Sequence, residues 1–234
     1  MKLPFWYPPI LTYHRIAPRP RTDTPSVSPE AFDRQMRTLR GRWQPVSLSE
    51  MVGWMEQGLP IPSRAVAVTF DDGTEDSFTQ AFPILQRHRI PATLFLIASH
   101  LGRPDALNAQ QIGRMREGGI SFGSHTLDHA YLPSLPVGEA RRQIVESKRL
   151  LEEIGVRVEL LSYPGGGFSE PIVRMVREAG YRAACTTNRG IRRFPVDRWS
   201  LRRITMHAGA ESRFGIWLRC CGYYGINRRF RSPS

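Results

Sequence analysis

Two pairs of side chains in this sequence have types and spacings that suit metal chemistry. Asp71 and Asp72 are adjacent in the stretch VAVTFDDGTED, and His125 and His129 are spaced i, i+4 in SHTLDH. The histidine spacing puts both imidazoles on one side of a helical turn or a tight loop, within reach of one ion. A carboxylate from another strand end can complete a His/His/Asp site. Zinc is the first choice for such a site because imidazole and carboxylate ligands suit it.

The adjacent acids can divide the work of such a site. Neighbouring side chains on an extended backbone point in different directions, so one acid can bind the metal while the other stays free beside a water. Gly73 lets the chain turn sharply after them. Each pair also has a simpler interpretation when it is taken alone. The DDG stretch is typical of a turn with a helix-capping Asp, and a His-x3-His pair of an exposed surface.

Alternating strands and helices predict the frame that positions these residues. The strand-like stretches are ILTYHRI, AVAVTF, ATLFLIAS, ISFGS, VELLSYP, RAACTT and SLRRITM. Stretches with the periodicity of amphipathic helices lie between most of these strand-like stretches. Two helix starts are marked by Ser28 before Pro29 and by the capping-box spacing of Ser47 and Glu50. This alternation predicts a parallel α/β sheet, either open or closed into a barrel.

The polar stretches follow predicted strands directly. DDG follows AVAVTF, SHTLDH follows ISFG, and YPGGG follows VELLS. In parallel α/β folds the carboxyl ends of the strands share one face, where sites are built. We therefore expect the three stretches to converge on one pocket.

Three of these stretches resemble the first three motifs of the polysaccharide deacetylases, the NodB-homology carbohydrate esterases. They are VTFDDGTEDSF, GSHTLDHAYL and LSYPGG, and the similarity extends from about Pro9 to Met206. It is closest to the branch that deacetylates poly-N-acetylglucosamine. The resemblance implies a distorted (β/α) barrel with fewer than eight repeats. It also implies metal-dependent hydrolysis of an N-acetyl group on a sugar, giving acetate and a free amine.

The resemblance further implies a role for individual residues. It makes Asp71 the catalytic base. It assigns the metal ion to three side chains, Asp72, His125 and His129. The third motif, formed by Tyr163, Pro164 and Gly165, is expected to line the groove and to offer a backbone N–H near Tyr163 to the oxyanion.

The sequence lacks two elements of the family pattern that have functional roles. Many relatives carry an arginine at the start of the third motif, which orients the base, but LSYPGG has none. Arg203 in the stretch LRRI, or Arg202 beside it, is the expected substitute. The later L-x-H motif that supplies a general acid in many relatives is not evident. The resemblance points instead to His14 in the first strand, with His207 as the alternative, and a core role for His14 is the simpler interpretation.

The basic charge is concentrated toward the carboxyl end. The net charge is +12, and from Tyr181 onward twelve arginines face only Asp197 and Glu211, a local net charge of +10. We expect a deacetylase domain over residues 1–210 and a basic, aromatic tail over residues 211–234. Aromatic residues beside arginines suit an anionic membrane surface. The alternatives are a helix that packs on the barrel and a solvated basic face.

Several function classes are disfavoured by the sequence. It contains no uninterrupted apolar run of about 18 residues, so no membrane span is expected. The first residues lack the apolar region of a signal peptide, and the three cysteines have no CxxC spacing. We therefore expect a cytoplasmic protein, with peripheral contact at the inner membrane face as a further expectation. No nucleic-acid-binding motif is found. The expected partner is an N-acetylated glycan or a lipid-linked sugar. The rival functions are a catalytically weak barrel that only binds glycan and a basic nucleic-acid-binding module.

Tryptophans are the first candidates for stacking on a sugar ring. Trp199, in the stretch DRWS near the arginine-rich region, is the best of them, although a core position is the more common role for a tryptophan.

Overall fold

The computed structural model describes residues 8–19, 24–187 and 197–207, together with Gly215 and Cys220. Apart from those two residues, the predicted tail at 211–234 lies outside the described residues. Within the described ranges, every helix is too short or too polar to cross a membrane.

The described chain consists of short strands and flanking helices. The strands are β1 (Ile10–Tyr13), β2 (Arg15–Ile16), β3 (Ser26–Val27), β4 (Gln44–Pro45), β5 (Ala65–Phe70), β6 (Ala92–Leu96), β7 (Ser121–Ser124), β8 (Leu160–Ser162), β9 (Ala183–Thr186), β10 (Leu201–Arg202) and β11 (Ile204–Thr205). The helices are α1 (Pro29–Arg42), α2 (Leu48–Glu56), α3 (Phe82–His88), α4 (Ala109–Glu117), α5 (Val137–Glu153) and α6 (Glu170–Glu178). A single π-helical turn, Ser77–Ala81, leads into α3.

The main sheet is parallel and nearly closed into a barrel. Its strand order is β10-β9-β8-β7-β6-β5-β1-β11, with β4 added beside β5. Only Arg203 separates β10, which pairs with β9, from β11, which pairs with β1. One continuous segment therefore bridges the two sides of the sheet. Four regular strand–helix–strand units connect β5 to β9, so the predicted barrel with fewer than eight repeats is confirmed.

Strand β5 shows how the barrel determines the direction of its side chains. All six of its residues are buried, as expected for a strand covered on both faces. Ala65 and Ala67 belong to an apolar cluster inside the barrel, to which α2 also contributes. Val66 and the alternate residues after it pack in the cluster that includes the other helices. Because the period of a strand is two residues, the same alternation directs Thr69 and Asp71 into the barrel.

Local sequence signals account for two helix starts. The Ser28 hydroxyl accepts a hydrogen bond from Ala31 N (3.2 Å), with Pro29 in the first turn, and Ser47 and Glu50 form a capping box. Both predicted helix starts are confirmed.

Two predicted strands are each broken in the structure. ILTYHRI divides at His14 into β1, in the barrel, and β2, which pairs with β3 in a separate ribbon. SLRRITM divides at Arg203, where the chain passes from one neighbouring strand to another. The prediction of single strands was wrong at these points because one strand cannot keep its register with two partners that lie in different directions.

Candidate active site

Asp71 forms the buried part of the site at the carboxyl end of β5. Its side chain is 3% exposed and pairs with Arg203, whose Nη1 donates to Oδ1 (2.7 Å) and whose Nη2 donates to Oδ2 (2.6 Å). Paired N–H groups facing both oxygens fix the plane of a carboxylate as well as its charge. Of the two arginines considered from the sequence, the structure brings Arg203 to Asp71.

Contacts on several sides hold Arg203 in place. Its guanidinium also donates to Thr69 Oγ1 (3.2 Å) and Ser162 Oγ (2.7 Å), and it lies 5.2 Å from the centre of the Phe95 ring. Ser162 belongs to the LSYPGG stretch, which has no arginine of its own. The small side chain of Ser162 therefore receives a guanidinium that arrives from the closing segment of the barrel.

Burial and the arginine act in opposite directions on Asp71. Burial favours the neutral acid, but the charge of Arg203, the charge of His125 and the hydrogen bonds from Arg203, in that order, together outweigh it. The net effect holds the pKa of Asp71 well below its usual range. Asp71 is therefore a carboxylate at any physiological pH.

Asp72 leaves the strand and faces a different environment. Its backbone is left-handed (φ 71°), as is that of Gly73 (φ 67°), so the chain turns immediately after Asp71. Burial, and then the charge of Asp71, raise the pKa of Asp72 to about 6. Its Oδ1 atom is buried and accepts no hydrogen bond from any described residue. A buried carboxylate oxygen without a donor has the properties of a cation ligand.

Two histidines complete a cluster around that oxygen. The Nε2 atoms of His125 and His129 each lie 3.6 Å from Asp72 Oδ1, and one ligand atom from each residue falls within 4.8 Å of the others. Ligands bonded to a tetrahedral zinc ion at about 2.0–2.2 Å are themselves roughly 3.4 Å apart. The three side chains therefore fit a divalent cation and leave room for further ligands.

The imidazole of His125 is prepared to act as a ligand. Its Nδ1 lies 2.8 Å from the carbonyl oxygen of Ser162, so this nitrogen carries the proton and Nε2 keeps its lone pair toward Asp72. Burial lowers the pKa of His125 to about 4, and burial also lowers the pKa of His129. Both rings are therefore neutral near pH 7, which is the form that binds metals.

Gln143 on α5 supports the loop that carries the histidines. Its side-chain oxygen accepts from Asp128 N (2.9 Å), and its amide nitrogen donates to Asp128 Oδ2 (2.9 Å). Asp128 precedes His129, whose backbone is left-handed (φ 60°). The sequence analysis missed Gln143. A signal was present, because this polar residue shares the buried side of an amphipathic helix with Ala140 and Ile144.

His14 lies beside the carboxylate of Asp71. Its Nε2 is 3.9 Å from Asp71 Oδ2, too far for a hydrogen bond but close enough to share one bound substrate. Its Nδ1 is buried and has no hydrogen-bond partner among the described residues. His207 is exposed at the end of β11.

The third motif requires a correction. Tyr163 N already donates to Cys185 O (3.0 Å), so this N–H is not available to an oxyanion. The side chain of Tyr163 is also buried, with its hydroxyl donating to Trp199 O (3.1 Å). Pro164 has no N–H, and Gly166 N donates to Tyr163 O (2.9 Å). Among Tyr163, Pro164, Gly165 and Gly166, the N–H group that none of these bonds uses is that of Gly165.

Trp199 does not face a substrate. It is only 7% exposed, and the guanidinium groups of Arg177 and Arg198 lie 4.9 and 5.1 Å from its ring centre. The expectation that it could stack on a sugar was wrong because its ring packs in the core.

Two solved structures superpose on this fold over most of their length. The deacetylase PplD of Streptococcus pyogenes, solved with acetate, superposes with a TM-score of 0.83 at 25% identity over 92% of this chain and 99% of PplD. IcaB from Ammonifex degensii gives a TM-score of 0.79 at 24% identity, over 91% of this chain and 98% of IcaB. The second likeness bears on the fold alone.

Sequence comparison agrees with the fold. The family model described as polysaccharide deacetylase matches residues 59–184, more than half of the chain. This protein belongs to the polysaccharide deacetylase family, a group of hydrolases acting on carbon–nitrogen bonds other than peptide bonds.

Two curated relatives bear on the substrate. YxkH of Bacillus subtilis, named as a candidate polysaccharide deacetylase, is 28% identical over 213 residues, or 90% of this chain and 75% of YxkH. The poly-β-1,6-N-acetyl-D-glucosamine N-deacetylase of Staphylococcus epidermidis is 29% identical over 180 residues. That match covers 69% of this chain and 61% of the relative.

Proposed function

We propose that this protein is a zinc-dependent N-deacetylase that hydrolyses the acetamido group of N-acetylhexosamine residues in a glycan. The observation that carries the proposal is the open cluster of Asp72, His125 and His129, which lies beside a buried carboxylate that Arg203 keeps ionised. Two imidazoles and one carboxylate suit zinc among the common divalent cations. The name of the staphylococcal relative supports a glucosamine-containing glycan as the substrate.

The cluster and the buried acid divide the first half of the reaction. A divalent cation, when bound, would polarise the acetyl carbonyl and make an adjacent water more acidic. Asp71 accepts the proton of the attacking water through Oδ2, the oxygen nearest to His14 (3.9 Å) and His125 (4.0 Å). Its pairing with Arg203 makes Asp71 a weak base that is always ionised, so the reaction depends on a water of raised acidity.

Other groups serve the second half of the reaction. The N–H of Gly165 is the proposed donor to the oxygen that gains charge as the carbonyl is attacked. An amide nitrogen leaves poorly unless it is protonated, and His14 is the proposed source of that proton.

His14→Ala should lower kcat about 10²-fold and leave the bound zinc unchanged. A normal kcat in this variant would make His14 a structural residue and return the role to His207.

Acetate release from a panel of acetylated sugars tests the proposal. Chitooligosaccharides, poly-β-1,6-N-acetylglucosamine fragments and lipid-linked N-acetyl sugars are compared, with the chelated protein and the zinc-restored protein assayed side by side. We expect release from at least one glycan, lost on chelation and regained with zinc. A zinc-loaded protein that binds glycan but releases no acetate would instead support the glycan-binding barrel. A cytoplasmic location and membrane contact through residues 211–234 stay predictions from the sequence.

A further inference from the structure

Tyr131 is an aromatic side chain left open to solvent close to the candidate site. Its relative exposure is 52%, whereas every other tryptophan, tyrosine and phenylalanine in the described part of the chain is buried or half-buried. It follows His129 by two residues. Large aromatic rings are usually buried, so an exposed ring next to a reactive centre indicates a contact surface.

The backbone holds Tyr131 in place on both sides. His129 faces Asp72, and Leu132, the next residue after Tyr131, is 1% exposed. The carbonyl oxygen of Tyr131 accepts hydrogen bonds from Ser134 N (3.1 Å) and Ser134 Oγ (2.8 Å). The ring is therefore carried by an ordered turn, although it is itself exposed.

The ring lies against the glycine strip, which we define as Gly165, Gly166 and Gly167. A Cβ atom placed on Gly167 would be 2.2 Å from Tyr131 Cε2 and 2.5 Å from Cζ, and one on Gly165 would be 3.3 Å from Cδ2. Real Cβ atoms do not approach other atoms to 2.2 Å, so no other residue fits at 167 while the ring keeps this position. The ring and the strip form one continuous surface.

The reason for glycine differs along the strip. Gly165 (φ 60°) and Gly166 (φ 72°) have left-handed backbones, which favour glycine by themselves. Gly167 has φ −81° and ψ 129°, a conformation open to any residue. What requires glycine at 167 is therefore the space taken by the Tyr131 ring. The YPGGG stretch thus has a role beyond its turn, namely to seat this side chain.

We propose that Tyr131 is a binding residue whose ring stacks on the apolar face of a pyranose ring of the substrate, with the glycine strip as its support. Tyr131 follows the proposed metal ligand His129 by two residues, and its ring lies against Gly165, whose N–H is the proposed oxyanion donor. A sugar stacked on this ring would therefore lie next to both groups that are proposed to act on its acetamido carbonyl. Because the strip immobilises the ring in advance, binding loses little side-chain freedom. This inference rests on the proposed deacetylase function.

The test compares glycan kinetics in Tyr131→Ala, Tyr131→Phe and the wild type. An aromatic contact of this kind is worth about a threefold to tenfold change in KM. We expect Tyr131→Ala to raise the KM for an acetylated oligosaccharide by that factor, with kcat and bound zinc little changed. Tyr131→Phe should stay near the wild-type KM. Leu59→Ala, at another exposed apolar side chain (48%), is the matched control and should change nothing.

A double-mutant cycle tests the support itself. Gly167→Ala should raise KM in the wild-type background by displacing the ring, but should have little further effect when combined with Tyr131→Ala. Additive effects would overturn the supporting role of Gly167, and an unchanged KM in Tyr131→Ala would overturn the binding role of Tyr131. Either outcome leaves the proposed deacetylation intact. A wild-type protein that releases no acetate from any sugar would overturn the proposed function, and this inference would fall with it.

Discussion

The two halves of the candidate site differ in how far the protein satisfies their charges by itself. In the base half, Asp71 receives two hydrogen bonds from Arg203. In the metal half, which consists of Asp72, His125 and His129, the buried Oδ1 of Asp72 has no described hydrogen-bond donor. Asp72 and His129 also have left-handed backbones, which cost a non-glycine residue about 1 kcal/mol each. The base half is complete in the folded chain, whereas the metal half would need a cation, as proposed above, to satisfy its charge.

Two adjacent residues of the same type therefore have pKa values shifted in opposite directions. Burial acts on both carboxyl groups, but only Asp71 faces a guanidinium at hydrogen-bonding distance. The ion pair with Arg203, and not burial, therefore decides which of the two acids has the lowered pKa. This ion pair also distinguishes Asp71, which is suited to accept a proton, from Asp72, which is suited to bind an ion. Variants on each side of this divide should behave differently.

The largest effect is expected in the metal half. His125→Ala removes a buried neutral ligand, so the protein should lose its zinc and at least about 10⁴-fold in turnover, the scale of lost carbonyl polarisation and water activation. Elemental analysis and acetate release on the same sample check this. The far-ultraviolet circular dichroism should stay unchanged. A variant that retains one zinc per chain would remove His125 from the metal half.

In the base half, the loss of Arg203 should mainly affect stability. Arg203→Met leaves the Asp71 carboxylate buried without its partner, which should lower the free energy of unfolding by about 3–5 kcal/mol. Urea unfolding of the metal-free protein measures this. Combining Arg203→Met with Asp71→Leu removes both charges and should recover most of the loss. If the single variant unfolds at the same urea concentration as the wild type, the ion pair does not stabilise the barrel.

Asp71→Asn separates the two halves by function. The amide keeps the shape of the carboxylate but cannot accept the proton of water, so turnover should fall by about 10² or more. Because Asp71 is outside the metal half, zinc content should stay at the wild-type level, in contrast to His125→Ala. Near-normal acetate release by the zinc-loaded variant would assign the base to another residue.

The smallest effect on the free energy of unfolding is expected at Asp72, and its sign is opposite to that of the effect at Arg203. A folded-state pKa of about 6, against an ordinary value of 3.8, means that ionised Asp72 destabilises the metal-free protein above pH 6. Asp72→Asn should therefore raise its free energy of unfolding at pH 7 by on the order of 1–3 kcal/mol, while abolishing zinc binding. The gain should shrink as the pH falls through 6 and vanish below about pH 4. Urea unfolding at pH 7 and pH 4 measures it, and a destabilised variant at pH 7 would refute the contrast.

Much of the fold could be predicted from the sequence because its signals are local. Alternating strands and helices, together with strand-end motifs, predicted a parallel barrel and placed Asp71, Asp72 and the two histidines on one face. Which of the two arginines contacts Asp71 depends on which residues of the segment Leu201–Arg203 point into the barrel. Leu201 lies inside the barrel, and Arg203, two residues later, shares its direction, whereas Arg202 faces the opposite side.

Features that depend on neighbouring strands or loops were harder to predict. The third motif was expected to offer a backbone N–H near Tyr163, but the pairing of β8 with β9 continues one residue further and uses the N–H of Tyr163 itself. Trp199 was the best tryptophan candidate for a sugar contact, yet among the described residues the exposed aromatic ring is that of Tyr131. Exposure is decided by tertiary packing. The fit between Tyr131 and Gly167 joins two loops that are distant in sequence. No local pattern could show it.

The segment that closes the barrel also determines when the protein becomes competent during its synthesis. Arg203 stands 132 positions after Asp71 and leaves the ribosome long after Asp71, Asp72 and both histidines. A chain ending before Leu201 holds every proposed zinc ligand, but its barrel is open and its buried carboxylate has no counter-charge. Such a chain should therefore be less stable than the complete barrel, and its proposed base would lack the guanidinium that fixes the plane of the carboxylate. The order of synthesis would thus delay the proposed activity until residues 201–205 have been made.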